Sequence, residues 1–311
     1  MPNTTALPNG LLNELRNFRH HDPSLLDGEL PGLRLRRLPG GRNNRVFAWD
    51  GPDGEVCLKL YRTDKRDRAA CEFQALTHLA GSGINAAPRP LFLDPDAELP
   101  AVAMTMVPGR PLPKLDEPTN ALGAVVDVLA QLREIPLGPF AETPRVDSAT
   151  DLIKRLTDTW SNQLDEHDDE PLTSEMHALL DGWRERGDAE TLAEPAPRIF
   201  SRGDSNLLNW LWEAPDIRVV DWEFVGYSDT AYDAAELIEH LSAHAIDDAL
   251  WISLLPNLGI NDEASRQRFL AAQRTVALRW LSVLWKRRNT RIDEFESQHS
   301  RVRKLMKHDF M

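Results

Sequence analysis

Apolar residues first recur at helical spacing, with Leu11, Leu12, Leu15 and Phe18 marking a short helix before a loop that reaches residue 30. Alternation then takes over. Residues 33–38 (Leu-Arg-Leu-Arg-Arg-Leu) alternate, Pro39-Gly-Gly-Arg-Asn-Asn44 breaks the run, and 45–49 resumes it. Asp50-Gly-Pro-Asp-Gly54 is turn chemistry, and 56–61 (Val-Cys-Leu-Lys-Leu-Tyr) alternates again, so an antiparallel meander with a glycine-rich first connection is expected. In its last strand Val56, Leu58 and Leu60 share one face, which aims Lys59 from the other. A helix is expected over 64–81, with Ala69, Phe73, Leu76 and Leu79 inward and Glu72 beside that stripe. Two further strands, 87–93 and 101–107, end at Pro108-Gly-Arg-Pro-Leu-Pro113, which reads as a hinge.

Beyond the hinge the period lengthens. Val125, Val126, Leu129 and Leu132 mark a buried face over 121–133, and 150–164 and 174–186 read as a helical pair around an acidic loop. Helices are expected again over 230–244, with Asp229 as N-cap, and over 262–288 and 293–307. Between the helices expected over 174–186 and 230–244 lies a hairpin, 207–212 and 217–221, turning at Glu213-Ala-Pro-Asp216. The pattern is α+β in two lobes: residues 1–107, mostly sheet, and residues 108–311, mostly helix and carrying the hairpin. A chain of 311 residues suits two such units better than one core.

Composition narrows the function classes. A net charge of −13 lacks the basic face of a nucleic-acid binder, and leaves room for a cationic small-molecule partner. Two cysteines, Cys57 and Cys71, make no disulfide framework. No apolar run reaches the ~20 residues that cross a bilayer, and no secretory signal is visible, so a cytoplasmic protein without a membrane partner is expected. The tripeptide Arg202-Gly203-Asp204 spells an adhesion motif, but apolar strands flank it and no export signal accompanies it.

The candidate chemistry sits around the hairpin. Asp204, Asn209 and Asp221 bring two carboxylates and an amide to one short element, an oxygen-rich set suited to Mg²⁺ and phosphate. The upstream parts fit the same use. Gly40 and Gly41, with Asn43 and Asn44, would let backbone N–H groups approach phosphates, Lys59 would pair with them, and Glu72 would fix Lys59 by an ion pair.

In order, these parts are a glycine turn, a strand lysine, a helix glutamate, a hinge, Gly203-Asp204-x-x-x-x-Asn209, then Val-Val-Asp221-Trp-Glu223 and Gly226-x-x-Asp229-x-x-x-Asp233. The order resembles the protein-kinase-like fold, and more closely the aminoglycoside phosphotransferase and choline-kinase-like small-molecule kinases, from about residue 33 to residue 244. The resemblance implies an enzyme, ATP-dependent, with Mg²⁺, phosphorylating a hydroxyl of an aminoglycoside-like compound, amino sugar, sugar or amino alcohol. It implies adenine held by backbone groups in 105–108 (Thr105, Met106 and Val107 foremost), Asp221 and Asn209 as metal ligands, and Asp204 as catalytic base. Glu223 reads equally as a contact to a metal-bound water or the substrate, or as a structural hydrogen-bond partner of the loop. The pattern departs at Arg202, where the family's loop usually has a histidine. Either Arg202 braces the loop of an active enzyme by pairing with a carboxylate, or the protein is a nucleotide-binding pseudokinase. Retention of Lys59, Glu72, Asp204, Asn209 and Asp221 favours the first.

Overall fold

A computed structural model describes residues 9–39, 44–51, 54–167 and 169–307. Its chain divides into two compact units, one of residues 1–110 and 209–225, the other of residues 111–208 and 226–311. Among the described residues, no helix is long and apolar enough to cross a membrane.

The first unit is built on a five-stranded antiparallel sheet: β1 (Leu35–Arg37), β2 (Arg45–Gly51), β3 (Gly54–Leu60), β4 (Pro90–Asp94) and β5 (Ala101–Thr105). Their order is β1-β2-β3-β5-β4, so β3 is central. Val56, Leu58 and Leu60 join Phe47, Trp49, Leu99, Ala101 and Ala103 in one apolar cluster, with Leu11, Leu12 and Leu15 of helix α1 (Asn9–His21). The two-residue period leaves Cys57 and Lys59 on the other face of β3. Helix α2 (Arg68–Gly81) begins four residues later than the apolar spacing suggests. Asp67 caps it by accepting the Ala70 N–H, while Asp64 accepts from Arg66 N–H, so the acidic residues close turns ahead of the helix. Strand β5 likewise stops at Thr105, leaving Met106 and Val107 in the segment that follows.

The hairpin belongs to this unit. Its strands, Trp210–Glu213 and Asp216–Val219, follow a 3₁₀ turn at Leu207–Asn209, so only part of 207–212 is extended. Val219 N–H donates to Ala86 O at 2.8 Å. Gly109 (φ 122°) lies where a Cβ would stand 2.9 Å from the Leu211 carbonyl carbon; the glycine allows both the left-handed backbone and the close approach.

The second unit is helical. The long helix Glu263–Trp285 is capped by an Asp262–Ser265 box and runs against Thr230–Glu239, Ile292–Lys307 and Asp188–Ala193. Trp160, Trp183, Trp251, Trp285, Tyr232 and Phe269 are fully buried in this unit. The expected helix over 150–164 is three pieces: Ala149–Lys154, a π-helical turn Arg155–Trp160 and Ser161–Asp165. Thr230–Glu239 is shorter than the expected 230–244, because the His240 side chain caps a separate turn, Leu241–Ala243.

A two-stranded ribbon, Ile199–Ser201 with Gly226–Ser228, sits at the helices' edge. Gly226 meets the Pro144–Arg145 backbone so closely that a Cβ would stand 2.3 Å from Arg145 N. Gly226→Ala should lower stability by about 3 kcal/mol, since the obstruction is backbone that cannot rotate aside. A fall in the urea midpoint at unchanged m-value would show it; an unchanged midpoint would mean the ribbon shifts freely.

Candidate phosphotransfer site

Each unit carries its own set of the candidate residues. In the first, the face of β3 opposite the apolar cluster carries Lys59, and α2 brings Glu72 to it. Lys59 Nζ donates to Glu72 Oε2 at 2.5 Å and to Asp221 Oδ1, with Glu223 Oε2 3.8 Å away. Glu72 is saturated: Oε2 also accepts the Tyr61 hydroxyl, and Oε1 accepts Trp222 N–H at 3.0 Å. One carboxylate on α2 thus ties the central strand to the segment after the hairpin. Lys59, Glu72 and Glu223 are buried, whereas the Asp221 side chain is 30% exposed.

Glu223 is held just as firmly. Oε1 accepts from Arg68 at 2.6 Å and Oε2 from the Asn44 amide at 2.6 Å; Asn44 Oδ1 in turn accepts Arg62 N–H at 3.4 Å. The structural alternative for Glu223 accounts for all of these contacts. Arg66 and Arg68 lie over the Phe224 ring at 4.7 and 5.8 Å.

Charge sets the chemistry of this cluster. Burial works against the Lys59 ammonium, but Asp221, Glu72 and Glu223 outweigh it and hold its pKa well above the ordinary value. Burial pushes the Glu223 carboxyl upward against the pull of Lys59, with Asp221 and Glu72 adding to the rise. Asp221 itself sits at φ 69°, a left-handed conformation that aspartate tolerates better than most residues. Val220 N–H donates to Asn209 O at 3.0 Å, so the ladder that ends at Trp210 and Val219 sets Asn209 and Asp221 at the same end of the hairpin.

The donor set fits a hard divalent cation. Carboxylate oxygens of Glu72, Asp221 and Glu223 lie within 4.8 Å of one another. Glu72 and Glu223 are committed to Tyr61, Arg68 and Asn44, whereas Asp221, which accepts Lys59, is the more exposed carboxylate of the three. Gly40, Gly41 and Asn43 lie outside the described residues. Thr105 closes β5, donating its N–H to Arg89 O at 2.9 Å and accepting Arg89 N–H on its hydroxyl at 2.9 Å; Met106 and Val107 follow, half-buried.

In the second unit, Asp204 sits in a loop pinned at every step. Its Oδ1 accepts Asn206 N–H at 2.9 Å, and Gly203 N–H donates to Ser201 Oγ at 3.1 Å. The buried Arg145 guanidinium donates to Gly203 O at 2.7 Å, to Asp233 at 3.0 Å and to Glu236. Ser205 Oγ donates to Glu236 Oε2 at 3.1 Å, and Leu207 N–H donates to Ser242 Oγ at 2.9 Å. Arg202 is buried and borders a small cavity with Leu129, Phe200, Asp233 and Ala234. Asp229 caps its helix through Tyr232 N–H and pairs with Arg268 at 2.9 Å. Arg145, Glu236 and Ser242 were not singled out in the sequence. Glu236 had a signal, its i, i+3 spacing from Asp233; Arg145, in a loop, and Ser242, in the turn Leu241–Ala243, had none, because their partners are remote in sequence.

Comparison with known proteins supplies the family. The sequence profile described as the phosphotransferase enzyme family matches residues 34–289. No curated protein sequence matches significantly. Among solved structures, a choline/ethanolamine kinase family protein from Mesorhizobium loti is 20% identical, with a TM-score of 0.63 over 96% of each chain. A thermostable mutant of aminoglycoside phosphotransferase APH(4)-Ia, solved with AMP-PNP and hygromycin B, is 17% identical with a TM-score of 0.64, covering 88% of this chain and 93% of that one. Choline kinase from Cryptosporidium parvum is 16% identical with a TM-score of 0.59 over 95% of both. At these identities the likeness shows the fold, which is kinase-like.

Proposed function

The chain belongs to the phosphotransferase enzyme family, and on that premise we propose that it transfers the γ-phosphoryl group of ATP to a hydroxyl of a small molecule, in the range of aminoglycosides, amino sugars, sugars and amino alcohols. The observation that carries this reading is Lys59, buried and held by Glu72 on one side and Asp221 on the other. A lysine kept charged inside a protein, with its ammonium fixed by carboxylates, is preorganised to meet phosphate oxygens.

Each residue then has a task. Lys59 pairs with the nucleotide phosphates, Glu72 keeps it in place, and the backbone of Thr105, Met106 and Val107 receives the adenine edge. Gly40 and Gly41 would offer N–H groups to the phosphates, and Asn44, which follows them in sequence, donates to Glu223. Asp221 and Asn209 would hold Mg²⁺, which when bound neutralises charge on the phosphate oxygens. Asp204 orients the acceptor hydroxyl and receives its proton as the oxygen attacks.

A screen of hydroxylated acceptors for ADP release tests the reading. Mg·ATP should stabilise the protein against heat, and at least one acceptor should raise ADP release well above the rate with water alone. Stabilisation by Mg·ATP with no acceptor-dependent release across all four classes would instead favour the pseudokinase alternative attached to Arg202. Absence of stabilisation at millimolar nucleotide would sink both.

A further inference from the structure

The helix Thr230–Glu239 stops one residue short of His240, whose extended backbone (φ −64°, ψ 136°) turns the ring onto the following turn. There Nδ1 accepts Ser242 N–H at 3.1 Å and lies 2.7 Å from Ser242 Oγ. The same hydroxyl oxygen accepts Leu207 N–H at 2.9 Å, three residues beyond Asp204. A backbone N–H can only donate, so Nδ1 presents its lone pair and the neutral ring carries its proton on Nε2. The Trp280 indole meets the ring edge to face, with centroids 4.9 Å apart and planes at 86°, and fixes its plane.

Asp204, Arg202, Arg279 and His244 are close enough to act on this ring through their charge. Burial, reinforced by His244, Arg202 and Arg279 against the pull of Asp204, brings the imidazole down to about 4. The ring is therefore neutral at physiological pH, within the electrostatic reach of the loop carboxylate.

We propose that His240, locked as the neutral Nε2–H tautomer and tied through Ser242 to the backbone of Leu207, is the positioning residue that orients Asp204 for proton transfer. The inference rests on the phosphotransferase reading above, which gives Asp204 its role as base. A neutral donor suits this task. It adds no positive charge beside the carboxylate, and through Ser242 it holds the backbone of the loop that carries it. Ser242 couples the two ends: its hydroxyl holds the loop backbone while its N–H and Oγ fix the ring.

Two measurements test this. In the first, ¹⁵N NMR of the imidazole nitrogens, assigned by loss of signal in His240→Gln, should show the Nε2–H tautomer at pH 7, neutral down to about pH 5, and shifted by Asp204→Asn. An imidazolium, an Nδ1–H tautomer, or indifference to Asp204→Asn would overturn the proposal. In the second, ADP release from Mg·ATP is followed with water as the acceptor. His240→Phe keeps a ring against Trp280 and removes the nitrogens; it should lower kcat about 10- to 100-fold with the KM for ATP unchanged, as expected from a misplaced base. His240→Gln, which offers both an amide acceptor to Ser242 and a donor, should restore most of the rate. Wild-type turnover in His240→Phe, or equal losses in both variants, would overturn the role. Failure of the phosphotransferase reading would look different: no ADP release by the wild-type protein with water or any acceptor screened.

Discussion

Replacing Asp204 with asparagine should lower kcat about 10²- to 10⁴-fold, the range lost when a positioned base is removed, while leaving the KM for ATP within a few-fold of wild type. Asparagine preserves the local structure that alanine would disturb. The Asn206 N–H that donates to Asp204 Oδ1 at 2.9 Å would meet an amide oxygen in the same place. The surrounding pins do not involve the substituted group: Arg145 on Gly203 O, Glu236 on Ser205, and Ser242 on Leu207. What asparagine lacks is the ability to accept the hydroxyl proton. Steady-state ADP release with a responsive acceptor, beside urea melts of both proteins, separates chemistry from folding. Turnover within threefold of wild type would remove Asp204 from the reaction.

The candidate site was legible in the sequence wherever one residue's place follows from its own element. Alternation in 56–61 set Lys59 opposite Val56, Leu58 and Leu60, and the sheet register keeps it there. Helical spacing put Glu72 beside the inward stripe of α2, within reach of that lysine. Turn residues at 213–216 marked the hairpin that carries Asn209 and Asp221 to one end.

Local signals failed where a side chain recruits backbone or charge from far along the chain. Asp64 and Asp67 lie on a helical pattern, yet their carboxylates close turns, and α2 starts only at Arg68. The left-handed Asp221 could not be inferred from a strand-like Val-Val-Asp run; it goes with Trp222 N–H donating to Glu72 on another element. The ribbon of Ile199–Ser201 and Gly226–Ser228 joins segments with the hairpin between them, and three-residue strands leave almost no periodic trace. The brace of the Asp204 loop is tertiary throughout: Arg145 comes from a loop with no pattern, and His240 is a helix position in the sequence but a turn cap in the fold.

Replacing Lys59 with methionine should cost about 3–5 kcal/mol of stability, the usual penalty for removing one partner from a buried ion pair. Methionine keeps most of the side chain's length and apolar stem, so lost packing is a minor part. What remains is Glu72, Asp221 and Glu223 with oxygens within 4.8 Å of one another, with the Arg68 guanidinium and the neutral Asn44 amide still donating to Glu223. Glu72 keeps the Tyr61 hydroxyl and Trp222 N–H, which satisfy its oxygens but supply no positive charge. The double variant Lys59→Met/Glu72→Gln removes one negative charge as well, so its loss should fall short of the sum of the single losses by about 1–3 kcal/mol, a coupling typical of groups in one network. Urea melts of the four proteins give that coupling directly, and additive losses would mean the cluster is not an electrostatic unit. Nucleotide binding is an independent readout on the same proteins. The double variant, with part of its stability restored, should still gain little from millimolar Mg·ATP if Lys59 meets the phosphates. A stabilisation equal to wild type would leave Lys59 as a structural ion pair and move phosphate recognition elsewhere in the first unit.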